Sequence, residues 1–568
     1  MLHKVMKKSK TIGLLIMPLM LFVLLNIIVQ FIPMSVDLTA ENRYTLTEST
    51  EKLLRKTNLP VQIKVILKGN YPAGFRKLGA STEELLRKFR DIAGPNIQFA
   101  FVSPDELIDG SHSNYADSLD ALGVSPINLT ARVEQGQQQQ YIYPVAMVSA
   151  GEKMEVVELY KGKSPMISHQ ELYASQMMLE YALANGISKV TQDKKPVVGY
   201  LTGNGEPMDE RVYDLTEKNL NKTCELRLIN LASQPFIHPS FDAIIMVKPT
   251  QPLTDFQKLT IDQYIQHGGK VIFTIDKLEA EMDSLQLLNQ VIAYDRQLGI
   301  SDLLFRYGVR MNNDLLMDLQ CDYLPFDVNG NGQYELLPWN YFPVLESAEN
   351  HPINKNLGFV SGRFVNTLDT VSTQENIKKT ILLWSSVNSR SIASPARISG
   401  EENSTAPDDA KYQSKHLPAA VLLEGNFSSY FARRLSQEFA DSLQKLGMPF
   451  LSQSNKPAAL MVVADGDIFL NDITKDGPLP MGMNRFTLSS AYAFPFANRE
   501  FLQNTLEYFM NRDNLIEAKS KEVVPRLLDM KRIRTDNSYI LLFNIVLPLL
   551  LTLLFAFVLL KIRSRIYQ

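Results

Sequence analysis

Hydrophobic and polar positions sort the chain into two charge-free ends and a mixed middle. The runs are TIGLLIMPLMLFVLLNIIVQFIP over residues 11–33 and YILLFNIVLPLLLTLLFAFVLL over residues 539–560. At about 1.5 Å per residue the first spans ~34 Å, enough to cross a hydrocarbon core. Lys4, Lys7, Lys8 and Lys10 precede it, and Lys561, Arg563 and Arg565 follow the second. Basic flanks mark the cytoplasmic side. Both termini, 1–10 and 561–568, are therefore expected in the cytoplasm, with two transmembrane helices holding the intervening body on the other side. Lys531, Arg532 and Arg534 dilute that bias without reversing it. A cleaved signal peptide is the rival for the first run, but the run exceeds an h-region of ~7–15 residues and no small-x-small site follows it.

Between the runs the pattern alternates between strand and helix periods. Residues 45–57 read as a capped amphipathic helix with Thr47 as its cap, and 61–67 as a strand. A helical stretch carrying Leu78, Leu85, Leu86, Phe89 and Ile92 follows, then a strand at 97–102 after Gly94-Pro95-Asn96. Further strands are expected at 127–133 and 141–148, with a turn at 136–140 between them. This predicts a small α/β domain over 36–160, resembling a thioredoxin-like layer but without any cysteine for redox chemistry. Residues 161–195 read as a helical connector. From 196 strands and helices alternate: 196–201, 226–231, 243–247, a helix at 254–267, and a strand at 270–275 after Gly268-Gly269. That order predicts a doubly wound, mainly parallel sheet over 196–510. Within it, 280–455 lacks clear periodicity and is expected to be a long irregular insertion, with a polar loop at 398–414. The pattern returns with the strand 458–463 and the helix 498–510. A charged helix over 511–538 then leads to the second membrane run.

Ligands of doubly wound sheets sit beyond the strand C-termini. The loop Gly203, Asn204, Gly205 and Glu206 is therefore the first place to seek a ligand or partner site. It is only a partial dinucleotide fingerprint, because Met208 stands where the third glycine belongs. The GKS at 162–164 has Val157 in place of the leading glycine of a phosphate-cradling loop, so the chain is not expected to be an ATPase. Asp465 and Asp467, just after a strand, could hold a cation or serve as acid and base, or simply form a polar turn. Asp327-Val-Asn-Gly-Asn-Gly332 opens like a calcium loop, but Pro338 occupies the place of the bidentate glutamate. No GxSxG elbow occurs, and neither Cys224 nor Cys321 carries a catalytic signature.

Composition narrows the function further. The 568 residues are 45% hydrophobic and 21% charged, with a net charge of −3, so there is no basic field for nucleic acid. Two cysteines and seven scattered histidines provide no metal-ligand cluster. No cofactor or metal is expected, and catalysis is not. Inside the apolar runs, Asn26 and Gln30 lie four residues apart on one helical face, and Asn544 interrupts the second run. Amides at membrane depth are expected to face a partner helix rather than lipid.

Several segments together carry a family likeness: DLTAENRYTLTEST at 37–50, VVGYLTGNGE at 197–206, GGKVIFTID at 268–276, and the long RQLGISDLLFRYGVRMNNDLLMDLQC at 296–321. PWNYFPV at 338–344, LLEGNFSSYFARR at 422–434, VVADGDIFLND at 462–472 and NREFLQNTLEYF at 498–509 extend it. The chain resembles the gliding-motility-associated ABC transporter auxiliary family, GldG. The resemblance implies a non-catalytic subunit in the bacterial inner membrane, with a periplasmic body, working with a separate ABC permease and a separate cytoplasmic ATPase. The family's link to gliding does not itself carry over, since close relatives occur in bacteria that do not glide. The alternative left by the residues alone is a membrane-tethered α/β enzyme using the 203–206 loop with Asp465 and Asp467.

Overall fold

The computed structural model describes residues 45–566, apart from 109, 111, 134–135, 161–167, 193, 289, 328–330, 349, 356, 374–376, 400–408, 436–440, 442, 446–448, 511–514 and 520–529. The first apolar run, with Asn26 and Gln30, lies outside the described residues. The chain divides into two compact units. One is Leu46–Lys521, and the other combines its two ends, Met1–Thr45 and Glu522–Gln568.

The body opens with helix α1, Glu48–Lys56, whose cap Thr47 accepts from the Thr50 amide. Strand β1, Val61–Val65, pairs parallel with β2, Ile97–Phe101, across helix α2, Ala73–Ala93. Strand β3, Val145–Ala150, joins β1 antiparallel, and β4, Lys153–Glu158, pairs antiparallel with β3. The order β2-β1-β3-β4 makes a mixed four-stranded sheet, with the hairpin Ile127–Val133/Gly136–Ile142 outside it. Helix α3, His169–Thr191, begins with a full capping box between Ser168 and Glu171. Its Leu172, Leu179, Leu183, Ala184 and Ile187 share one core with Leu54, Phe75, Leu86 and Val148.

A second, larger sheet dominates the rest. Strands β5 (Val197–Thr202), β6 (Glu225–Asn230), β7 (Ala243–Val247), β8 (Lys270–Thr274) and, far along the chain, β13 (Ala458–Val463) are mutually parallel in the order β6-β5-β7-β8-β13. AIIMV in β7 and AALMVV in β13 are buried at every position, as strands covered on both faces require. One face packs Val198, Tyr200, Ile245 and Met461 against Leu215 and Phe501. The other packs Leu201, Ile244, Phe273 and Leu460 against Ile261 and Ile265 of helix α4, Asp255–Gln266. Thr254 and Gln257 form a capping box at the start of α4.

The sheet departs from the expected, mainly parallel plan in the stretch read as irregular. Strands β9 (Cys321–Phe326), β10 (Glu335–Ser347), β11 (Lys378–Trp384) and β12 (Pro418–Gly425) continue it beyond β13, every pairing antiparallel. The result is a mixed α/β sheet, and the insertion completes it instead of looping away. Its strands escape notice because their partners are remote in sequence and their pairings carry register shifts at Cys321/Tyr323 and around Leu383. Trp339, Tyr341, Phe342 and Phe364 give this half a core of its own.

Helix α5, Asn498–Phe509, returns to the large sheet, and the short α6, Ile516–Lys519, packs on α1 and α3. In the other unit, helix α7 runs unbroken over Met530–Ile566 with Pro548 inside it, so the charged residues from Met530 and the second apolar run form one helix. Its Leu541–Ser564 segment has a mean hydropathy of 2.7 and is wholly exposed, long and apolar enough to cross a membrane.

Candidate functional site

Four polar segments meet the C-terminal edge of the parallel strands: 203–206 after β5, Lys248 after β7, Asp276 after β8, and Asp465 to Asp467 after β13. This edge, where the strand order reverses between β5 and β7, is where open α/β sheets bind ligands.

The 203–206 loop is closed on itself. Gly205 has φ +79°, and a Cβ there would stand 2.1 Å from Thr250 Oγ1, so only glycine fits. The Asn204 carbonyl accepts from the Thr250 and Gln251 amides, each at 2.9 Å. Its side-chain Nδ2 donates to the Pro252 carbonyl and to Gln257 Oε1, both at 3.1 Å. Glu206 folds back to accept from the Asn204 amide at 2.8 Å. Burial pushes its carboxyl upward against the pull of the Asn204, Glu206 and Gly203 backbone amides. A carboxylate of the chain itself thus turns onto the backbone amides that would otherwise face a phosphate.

Lys248 organises the other end. Its backbone is left-handed, φ +44°, immediately before Pro249, a conformation that costs about 1–3 kcal/mol and persists only where its surroundings over-determine it. Its buried ammonium reaches both oxygens of Asp467 at 2.7 Å, Glu281 Oε2 at 3.0 Å and Asp276 Oδ2 at 3.2 Å. Burial disfavours its charge, but the three carboxylates outweigh that and hold the amine protonated. Asp276 accepts from the Gly466 amide, and burial lifts its carboxyl to about 6 while the Lys248 charge opposes the rise. Asp465 is fully buried, accepting from the Asp467 amide at 2.7 Å and the Arg363 amide at 2.8 Å. Burial first, then the Asp276 and Asp467 charges, drive its carboxyl well above the usual range. A Cβ at Gly466 would come within 2.7 Å of Lys248 Cγ and 2.9 Å of Asp276 Oδ2, so glycine there lets the chains close up. Arg363 continues the network with a two-pronged pair to Asp472 at 2.7 and 2.9 Å, and Arg296 pairs with Glu281.

Among the described residues, oxygens of Asp276, Asp465 and Asp467 lie within 4.8 Å of one another, close enough to share a metal ion. The donor set does not favour one. Both Asp465 oxygens already accept from backbone amides, and the Lys248 ammonium binds the other two carboxylates. An internal cation fills the place.

The sequence pointed to the 203–206 loop and to Asp465 and Asp467, and all lie at this edge, but not together. Strands β7 and β8 separate them, three strand spacings or about 14 Å. Lys248, Asp276, Glu281 and Arg363 were not singled out, although Lys248 and Asp276 are the first charged residues after two buried strands. The Asp327 turn closes on itself: its carboxylate accepts from the Asn331 and Gly332 amides at 3.1 and 2.9 Å, and Pro338 sits in β10. Cys224 and Cys321 are both free. Asn544 lies exposed in α7.

Residues 40–149 match a domain of unknown function. An uncharacterized protein of Borreliella burgdorferi is 18% identical over 348 residues, covering 61% of this chain and 62% of that relative. The chain therefore matches less than two thirds of that relative's length. Among solved structures, the N-terminal domain of mmIFT52 aligns at a TM-score of 0.30 with 12% identity, covering 56% of this chain and 98% of that one. An exo-beta-1,4-mannosidase from an Opitutaceae bacterium aligns at 0.20 with 8% identity, covering 69% and 46%. Residues 195–505, more than half of the chain and most of the large sheet, match a family model, and the chain belongs to the family described as an ABC-type uncharacterized transport system.

Proposed function

We propose that this protein is a non-catalytic, membrane-anchored auxiliary subunit of an ABC transporter, of the type found with gliding-motility systems. Its body stands on the periplasmic side of a bacterial inner membrane, and its partners are an ABC permease and a cytoplasmic ATPase. Membership of an ABC-type transport family is the observation that carries this reading. Three features support it. The sequence lacks a phosphate-cradling loop of its own. The ligand edge of its large sheet is filled by Glu206 at one end and Lys248 at the other. The apolar stretch in α7 has membrane-spanning length. The order β2-β1-β3-β4 with helices α2 and α3 supports reading the first domain as a thioredoxin-like layer without cysteines for redox chemistry. The polar loop 203–206, with Asp465 and Asp467, is then read as a docking edge for a partner instead of a catalytic centre.

The test is purification of the tagged full chain from its own membranes in mild detergent. Recovery of a permease and an ATPase in fixed proportion supports the reading. Recovery of the chain alone, together with release from membranes by alkaline carbonate, would overturn it.

A further inference from the structure

The N-terminal edge of the large sheet, where its parallel strands begin, carries a row of lysines. Lys222 and Lys195 stand just before β6 and β5, Lys270 opens β8, Lys456 stands just before β13, and Lys378 opens β11. All five share one edge, because β5, β6, β8 and β13 are parallel, while β11 is antiparallel to β12 and β12 to β13. From β6 to β11 the row crosses six strand spacings, about 29 Å. Lys195, Lys222, Lys378 and Lys456 are exposed. Lys195 donates to the Asn221 and Lys222 carbonyls at 3.4 and 3.1 Å, contacts that orient the ammonium without cancelling its charge. Lys378 meets Glu424 at 3.7 Å, and its side chain stays 68% exposed. The other acids beside the row, Glu225 and Asp242, are engaged by Arg227 and by the Val197 amide.

The loop after β12 adds Arg433 and Arg434 to this edge, both exposed. It is fixed from inside. The buried Asp262 carboxylate of α4 accepts from the Ser429 hydroxyl at 2.7 Å and the Tyr430 amide at 2.9 Å, and the Arg434 guanidinium lies 4.1 Å over the Tyr430 ring.

We propose that this edge rests on the anionic phospholipid headgroups of the membrane that anchors the chain. Three observations favour a lipid surface over an acidic protein. The charges are strung along a sheet edge instead of gathered around a groove, and ammonium groups on flexible stems suit a mobile array of phosphates. The chain also leaves the large sheet here: the Phe509 carbonyl at the end of α5 accepts from Lys270 Nζ, and α7 begins twenty residues later. The far edge carries Asp276, Glu281, Asp465 and Asp467, so an anionic surface attracts one edge and repels the other. Each basic residue held near such a surface strengthens contact about fivefold, an effect that fades over a Debye length of about 8 Å at physiological salt.

This inference rests on membrane anchoring, as in the proposed function. Its test is brief acylation of surface amines, read residue by residue by mass spectrometry, on the full chain in nanodiscs of phosphatidylcholine alone or mixed with phosphatidylglycerol. Lys415 and Lys475, exposed on segments of the far edge, are internal controls. Adding phosphatidylglycerol should slow labelling of Lys195, Lys222, Lys378 and Lys456 at least about fivefold, raised salt should restore it, and the controls should not change. Combining Lys222→Glu, Arg433→Glu and Lys456→Glu should return Lys195 and Lys378 to their rate in phosphatidylcholine, with unchanged melting showing that the fold is intact. Uniform labelling, indifference to phosphatidylglycerol or salt, or protection of the controls instead overturns the contact. Protection that appears in phosphatidylcholine alone once a permease is added marks a protein partner and overturns it too. A chain that fails to enter the discs defeats the anchoring itself, whereas uniform labelling of an incorporated chain defeats only the contact.

Discussion

At the residue scale, the lock around Lys248 makes sharp demands. Removing one partner of a buried ion pair costs about 3–5 kcal/mol, because the others are left charged and dry. Lys248→Met should therefore lower stability by about that much in urea titration, whereas an effect under about 1 kcal/mol would show that water already reaches the cluster. Asp276 adds a pH signature. Its carboxyl is raised from 3.8 to about 6, so between those values the folded state holds a proton that the unfolded chain releases. Stability from this group is thus lost as pH rises from about 4 to 6, by about 3 kcal/mol in all. Asp276→Asn cannot show that loss. The variant's stability relative to the parent should rise by up to about 3 kcal/mol between pH 4 and pH 7, and a pH-independent difference would refute the assignment. Little of this was legible in the sequence. A single lysine before a proline reads as surface, and its left-handed backbone and three acidic neighbours from distant segments have no local signal. Asp465 and Asp467 stood out only because they follow an apolar strand, and their spacing says nothing of Arg363 or Asp276.

At the element scale, legibility followed periodicity. Strands such as β7 and β13 are unbroken apolar runs, and α4 announces its start with Thr254 and its end with the glycine pair. The strands of the insertion pair antiparallel across long gaps and carry bulges, so their pattern blurs. The connector helix α3 shows what sequence leaves open. It was expected as a helix, but its role as a seam comes from partners remote in the chain. Tyr181 and Asn185 both donate to Glu507 of α5, and Glu180 accepts from the Thr47 amide at 2.7 Å and hydroxyl at 2.8 Å. Glu507→Ala leaves a buried tyrosine hydroxyl without its acceptor, a loss of about 1–3 kcal/mol. Amide exchange in α3 should quicken while β7 and β8 stay protected. Equal loosening of the large sheet would mean that the two layers do not open separately.

At the scale of the whole molecule, the proposed reading places the body between two membrane runs in the sequence. The proposed topology predicts that alkaline phosphatase inserted within residues 398–414 is active and that a cytoplasmic reporter there is silent, with the reverse result defeating the periplasmic placement. The base itself can be tested more directly. Leu515 and Ala518 of the α6 region are buried, and Leu515 shares the first domain's core with Leu53, Leu54 and Leu179. Lys519 reaches the other way, donating from Nζ to Asn504 Oδ1 of α5 at 2.6 Å. This short segment therefore fastens the small sheet's core to the large sheet's last helix, after the residues matched to the family have ended. A fragment covering residues 46–521 retains every one of these contacts and should fold as a soluble monomer. A fragment ending at 510 loses a buried leucine worth about 1.5–3 kcal/mol and the bridging lysine with it. It should melt several degrees lower, with α1 and α3 the first elements to lose protection. Identical melting of the two fragments would show that α6 merely rests on the body. The base would then be held by Leu53 and Leu54 in the first domain's core together with the Thr47–Glu180 hydrogen bonds.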